Sequence, residues 1–281
     1  MLKPEDFFDL AEFEHRDLFE GVEYIWDGLK RIKEYIREVI RPNLGAIRKR
    51  GDVLSKTYIL YQGEVLEEGF ELFYGDSGKG RLKVRSGKED LVGATVLYAG
   101  VTLLSDHISI GKGTVVEPGA LIKGPTIIGE NTEVRQGAYI RGDVIVGDRC
   151  VVGHTTEIKG SIMLNDAKAG HFAYIGDSIL GNRVNLGAGT KLANLKIFDS
   201  PVKLVIDGKE YETNLRKFGA ILGDDVETGC NTVTSPGTLL GKNVLAYPNT
   251  LIRGYYPPNT IIKLRQNQEV SKRIYNSDIK I

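Results

Sequence analysis

The sequence predicts an all-β fold: a parallel β-helix built as a three-sided prism, with a helical N-terminal extension and a projecting β-hairpin arm. Three observations predict it. Aliphatic residues recur at every sixth position without a miss: Ile110, Val116, Ile122, Ile128, Val134, Ile140, Val146, Val152 and Ile158. The position four after each of the first eight is always small or β-branched, from Thr114 and Ala120 to Cys150 and Thr156. The same clock restarts at Leu222 and runs through Thr228, Thr234, Leu240, Ala246 and Ile252. A hexapeptide period of this kind is the signature of a parallel β-helix.

Each part of the repeat has a physical reason. Three hexads make a coil of 18 residues with three flat sides, and coils stack at strand spacing, about 4.8 Å. The repeated aliphatic points inward onto its copies, and the small residue turns the corner, where a bulky side chain would collide. No coil buries its own apolar face, so only the stack is stable. Prisms of this sort coil left-handed, against the usual right-handed crossover rule. Val92, Tyr98 and Leu104 extend the clock backwards. Two steps are five residues long, Ile158 to Met163 and Ile175 to Leu180, so stacking shifts there from 18 residues to 17.

Outside the clock, Val22, Ile25, Trp26, Leu29, Ile32, Ile36 and Ile40 follow helical spacing, which predicts an amphipathic helix over 20–41 ending before Pro42. Pro4-Glu5-Asp6 starts a shorter one. Residues 1–50 therefore read as a helical extension, 51–262 as the prism and 263–281 as a polar tail. Within the prism, 51–91 carries strand-like runs, Tyr58 to Tyr61 and Phe70 to Tyr74, read as the transition that begins the coils. Between Asn194 and Arg216 the clock stops. Val202 to Glu212 around Asp207-Gly208 reads as a hairpin on a tight turn. Because 195–216 interrupts the prism, it is expected to project from a corner.

Composition bounds the function. The 281 residues carry 37 basic and 37 acidic side chains, so bulk charge does not drive binding to nucleic acid or a membrane surface. No apolar run approaches the roughly 20 residues of a membrane span. The N-terminus is acidic and unlike a signal peptide, and two cysteines suit a reducing cytoplasm. Cys150 takes a small corner position and reads as buried there. Gly75-Asp-Ser-Gly-Lys-Gly80 lacks the frame of a phosphate loop and reads as a turn.

The stacking arithmetic picks out candidates. Arg141 and Lys159 are 18 apart with no skip between them, so two cations stack on one face. That arrangement suits a phosphate; the alternative is a surface ladder neutralised by Glu157. His154 and His171 are 17 apart across one skip and stack too. A metal reading is disfavoured, because His107 falls off their register. His171 is either a catalytic residue or a plain core or surface histidine.

The run from Arg141 to Asn194, and again from Lys217 to Val226, resembles the acetyltransferase domain of the bifunctional N-acetylglucosamine-1-phosphate uridyltransferase/glucosamine-1-phosphate N-acetyltransferase family and its archaeal-type sugar-1-phosphate nucleotidyltransferase relatives. The residues that carry the likeness are Lys168-Ala-Gly-His-Phe-Ala-Tyr-Ile-Gly-Asp177, Asn185-Leu-Gly-Ala-Gly-Thr190, Asn194, and Lys217-Phe-Gly-Ala-Ile-Leu-Gly-Asp-Asp-Val226. The resemblance implies an acetyl-CoA-dependent N-acetyltransferase acting on an amino-sugar 1-phosphate. It implies His171 as general base, Arg141 and Lys159 as phosphate ligands, and Tyr174, Asn185 and Lys217 as sugar ligands. Ala188, Asn194 and Cys230 would face the coenzyme, and Glu157 would orient Lys159. No metal is implied. A homotrimer is implied, with arm 195–216 reaching a neighbour. This sequence departs from the family where Leu195 replaces an aromatic and Cys230 a serine, and where Pro248 stands near a coenzyme position. The first 91 residues do not read as a nucleotidyltransferase domain, so such an activity is expected from a separate partner. The alternatives are a non-catalytic prism that binds a sugar phosphate or nucleotide sugar, and an acyltransferase with another acceptor.

Overall fold

The computed structural model of the chain describes residues 2–49 and 51–273. It is a β-solenoid of about nine turns, of the left-handed β-helix class. Parallel strands line three faces. Face I contains Thr95–Leu97, Glu133–Val134, Val151–His154, Lys168–His171 and Asn185–Leu186, among others. Face II contains Tyr139–Ile140, Glu157–Lys159, Tyr174–Gly176 and Lys191–Leu192. Face III contains Thr126–Ile128, Val144–Val146, Ile162–Met163 and Ile179–Leu180. The aliphatics of the six-residue clock fill one buried axial core.

The register follows the predicted skips. Val134 pairs with Val152, 18 residues on, whereas Ile158 pairs with Ile175 and Met163 with Leu180, each 17 residues on. Corner threonines bind main chain between coils. Thr132 Oγ1 donates to the Gly147 carbonyl at 2.9 Å and accepts from the Cys150 amide at 3.0 Å. Cys150 is fully buried at its corner, and burial pushes its thiol pKa up.

The backward extension of the clock is corrected. Val92 is 85% exposed, and the buried inward residues are Leu97 and Leu103 instead of Tyr98 and Leu104. The step from Leu103 to Ile110 is seven residues, so counting back in sixes lands one position off. Residues 51–91 do not coil. Tyr58–Tyr61 pairs antiparallel with Glu64–Leu66 and with Thr95–Leu97, and Glu71–Phe73, Lys83–Ser86 and Glu89–Asp90 form a separate antiparallel sheet. This segment pairs with the first parallel strand of face I and ends that sheet in the short antiparallel strand Glu64–Leu66, a device that blunts a strand edge.

The helix spans Asp27–Val39, shorter than predicted at its start, and stops at Ile40 before Pro42. Its buried Leu29, Ile32 and Ile36 lie on face III, against the outward residues Ile127, Ile145, Ile162, Ile179, Ile221 and Leu239. Each of those sits beside an inward aliphatic, so face III strands are apolar on both sides, the pattern of a doubly covered parallel sheet. Corner residues fasten the extension. The Asn165 amide donates to the Glu12 carbonyl at 3.0 Å, the Asn182 amide to the Asp9 carbonyl at 2.7 Å, and Asp224 accepts from the Asp9 amide at 2.7 Å.

The hairpin forms as read, Lys203–Ile206 against Lys209–Glu212, with Asp207 and Gly208 both at positive φ. It does not project. Val202, Leu204 and Ile206 are buried in the same cluster as Trp26, and the Tyr211 ring stands edge-on to Trp26 and Tyr24. Burying that apolar stripe on the chain's own extension outweighs an extended arm. Only the stretch before it reaches out, with Ile197 99% and Phe198 78% exposed. The tail has no regular structure over 265–273, and 274–281 lies outside the described residues.

Candidate functional site

Most of the sequence-derived residues lie along face II and its two corners, with His171, Ala188 and Cys230 at the corner with face I and Arg141, Lys159 and Asn194 at the opposite end, toward face III. The corner column is set by register. His154 pairs with His171; the Lys168–Asn185 and Asn185–Glu227 pairings then place Ala188 and Cys230 on successive coils above His171. His171 is exposed at the end of its strand, its ring tilted against Phe172, which also stands edge-on to His154. His154 Nδ1 lies 2.9 Å from the Gln136 carbonyl. Phe172 has φ 53°, a turn conformation that aims its neighbours apart, and is 55% exposed.

Face II carries the charged residues. Arg141 donates to Glu157 at 2.7 Å and lies 5.8 Å over the Tyr139 ring. That hydrogen bond raises the Arg141 pKa. Lys159 binds Asp177 at 2.5 Å, with both side chains about four-fifths buried. Glu157 is thus the partner of Arg141, and the expectation that it orients Lys159 is corrected: Lys159 turns to Asp177 instead. Both cations are already neutralised within the chain.

Asp177 is the residue that the sequence reading missed. Its Oδ2 accepts from Lys159 and also from the Asn194 amide. The Asn194 carbonyl oxygen in turn accepts from the Tyr174 hydroxyl at 3.3 Å. Burial, with the charges of Glu157 and Asp177, raises the Tyr174 pKa. Gly176 is required here, since a Cβ would lie 2.7 Å from both the Asn194 nitrogen and the Tyr174 oxygen. The signal was present in sequence: an acid one position beyond the residue stacked on Lys159 sits at the corner, within reach of it.

Asn194 is buried, and Lys217, at the far end of the inserted segment, bridges to Leu195 beside it. Lys217 itself is exposed. Asn185 lies elsewhere. It faces outward from face I, between Lys168 and Glu227, away from the Arg141 and Lys159 pair. Cys230 is exposed beside Ala188, whose carbonyl accepts from the Asn231 amide at 2.8 Å. Among the described residues, no three His, Cys, Asp or Glu side chains group as metal ligands, and no helix is long and apolar enough to cross a membrane.

Known proteins resemble this arrangement in part. The bifunctional protein GlmU of Methanococcus maripaludis is 37% identical over 110 residues, 39% of this chain and 26% of that protein. The bifunctional sugar-1-phosphate nucleotidylyltransferase/acetyltransferase of Sulfurisphaera tokodaii is 37% identical over 89 residues, 32% of this chain and 22% of that protein. The match thus spans about a quarter of the length of these relatives. Among solved structures, the UDP-N-acetylglucosamine acyltransferase of Francisella novicida is 15% identical, over 59% of this chain and 65% of that one, and the likeness stops at a TM-score of 0.34. The sequence pattern described as the GMPPB C-terminal domain matches residues 122–279, more than half of the chain, and therefore takes in every candidate residue above. The chain belongs to the GMPPB C-terminal domain family.

Proposed function

We propose that the protein is a sugar acyltransferase, and specifically an acetyl-CoA-dependent N-acetyltransferase of an amino-sugar 1-phosphate. The observation that carries this reading is the layout of face II. Two stacked cations stand at one end of it and an exposed histidine at the other, with Tyr174 on the strand between them, hydrogen-bonded to Asn194. The similarity to the Sulfurisphaera sugar-1-phosphate nucleotidylyltransferase/acetyltransferase supports it.

In this reading the sugar phosphate binds Arg141 and Lys159, and the sugar 2-amine faces His171. His171 takes the amine proton as the nitrogen forms its bond to the thioester carbonyl, as a general base. The tetrahedral oxyanion is stabilised by main-chain N–H groups near Ala188. Collapse breaks the carbon–sulfur bond and expels the coenzyme thiolate, which takes up a proton. Asn185 faces outward from face I, away from the Arg141 and Lys159 pair, so in this reading it serves the sugar from a neighbouring copy, as in a homotrimer, whereas Lys217 stands beside Leu195 at the Asn194 end of the site. The helix Asp27–Val39 lies on face III, which leaves face II around Arg141 and Lys159 open to such packing.

A second reading has an observation of its own. Each cation is paired with a carboxylate, so the two cations are already neutralised before any ligand arrives. A prism that binds a sugar phosphate for a separate nucleotidyltransferase, without turnover, fits that neutrality as well.

Release of free thiol from acetyl-CoA on addition of glucosamine 1-phosphate tests the first reading. Release that falls about 10²- to 10⁴-fold in His171→Ala is the expected result. Tight binding of glucosamine 1-phosphate with no thiol release would sink the transferase in favour of the binding prism.

A further inference from the structure

We infer that Asp177 is a positioning residue that couples the phosphate subsite to the coenzyme subsite, by holding Lys159 and orienting the Asn194 amide through one carboxylate oxygen. This deepens the proposed function and rests on it.

The inference follows from what a carboxylate can and cannot do. An ionised carboxylate only accepts hydrogen bonds. Asp177 Oδ2 therefore takes the NH2 side of Asn194, which turns the Asn194 carbonyl oxygen toward Tyr174. The Tyr174 hydroxyl has to be the donor in that contact. One charge thus sets the polarity of a three-residue chain, and decides whether Asn194 offers a donor or an acceptor to a ligand beside it. The same oxygen neutralises Lys159 at 2.5 Å, with Lys159 and Asp177 only 19% and 20% exposed, so solvent screens little of the interaction.

The backbone fixes this arrangement on both sides. The Asp177 carbonyl accepts from the Gly219 amide at 2.8 Å, and the Asn194 carbonyl from the Phe218 amide at 2.9 Å. Asp177 and Asn194 are therefore clipped to two consecutive residues at the root of the inserted hairpin. Coupling follows. A phosphate drawn to Lys159 pulls the ammonium away from Asp177, and Asn194 becomes the remaining side-chain donor to that oxygen in this cluster. Its amide is then held more firmly in one orientation, which favours the second ligand. Reciprocity requires the coenzyme to favour the phosphate by the same factor.

Titration calorimetry of glucosamine 1-phosphate with and without saturating coenzyme A reads the coupling directly, because this pair binds but cannot react. The native protein is expected to bind the sugar phosphate on the order of tenfold more tightly with coenzyme A present. Asp177→Asn should reduce that factor to about twofold or less. Asparagine tolerates the φ of 45° at this position, so the backbone is kept while the charge is lost. Asp177→Gly, also at ease at positive φ, repeats the test should the first variant melt early. A residue that merely stabilised the corner would lower the melting temperature and leave the coupling intact. Undiminished coupling in a folded Asp177→Asn or Asp177→Gly protein overturns the inference and leaves the transferase reading standing. Failure of the native protein to bind either ligand overturns both.

Discussion

Face III and face II are built from the same repeat, yet they spend their outward residues in opposite ways. On face III the outward position is Ile or Leu in coil after coil, and each is sealed beneath the helix Asp27–Val39 and the hairpin. On face II and at its corner with face I the outward residues are Arg141, Glu157, Lys159, Tyr174 and His171, none of them fully buried. The difference teaches that the prism needs only its inward ladder to exist. The outward positions are free, so one face is given to stability and another to chemistry. A change on face III should therefore act on folding, and a change on face II on ligands.

The largest expected effect is on the sealed side. Trp26 is 1% exposed between face III and the hairpin, and Trp26→Ala should lower the unfolding free energy by about 3–5 kcal/mol in a denaturant titration. If stability were untouched, the sealed face would not be the structural one. Between the two regions lies the corner lattice. Thr132→Val strands the buried Cys150 amide and should cost about 1–3 kcal/mol, read as an earlier chemical-denaturation midpoint. On open face II the pattern should reverse. Arg141→Met should weaken sugar-phosphate binding roughly tenfold or more, while changing stability by no more than about 1 kcal/mol, because its pair with Glu157 is solvent-exposed. An equal loss of stability and binding would erase the contrast.

The smallest effect is one of pH. His15 packs edge-on to Phe13 and Tyr35, within the extension, and its Nδ1 lies 3.2 Å from the Tyr35 hydroxyl. Burial lowers its pKa below the ordinary 6.5, although Glu14, Asp148 and Asp17 pull it upward. The unfolded chain then takes up the proton first. The stability held above pH 6.5 is lost as the pH falls through 6.5 toward the lower folded value. Melting temperatures between pH 7.5 and 5.5 should fall less steeply in His15→Phe than in the native protein. Parallel curves would place the sensitivity elsewhere.

Much of this was legible in the sequence. The six-residue period gave the inward residues from Ile110 to Ile158, the two five-residue steps gave the 17-residue register, and Asp207-Gly208 gave the hairpin. The stacked pairs Arg141 with Lys159 and His154 with His171 came from counting alone. Counting failed where a step length changed unannounced, between Leu103 and Ile110. It also missed Asp177, since a side chain at a turn reaches sideways to a residue not directly above or below it. The doublets Ile127-Ile128, Ile145-Val146 and Ile162-Met163 announced a covered face, but only read three hexads apart.

The sequence by itself therefore determined the prism, its period and which residues share a column, because local periodicity and a fixed strand spacing are enough to order them. Only the tertiary structure decided that the hairpin lies down on the extension, that face III is the sealed one, and that Lys159 and Asn194 meet on one oxygen of Asp177. Those outcomes depend on contacts between segments as far apart as Trp26 and Tyr211, where burial and charge pairing in three dimensions, and no spacing along the chain, select the partner.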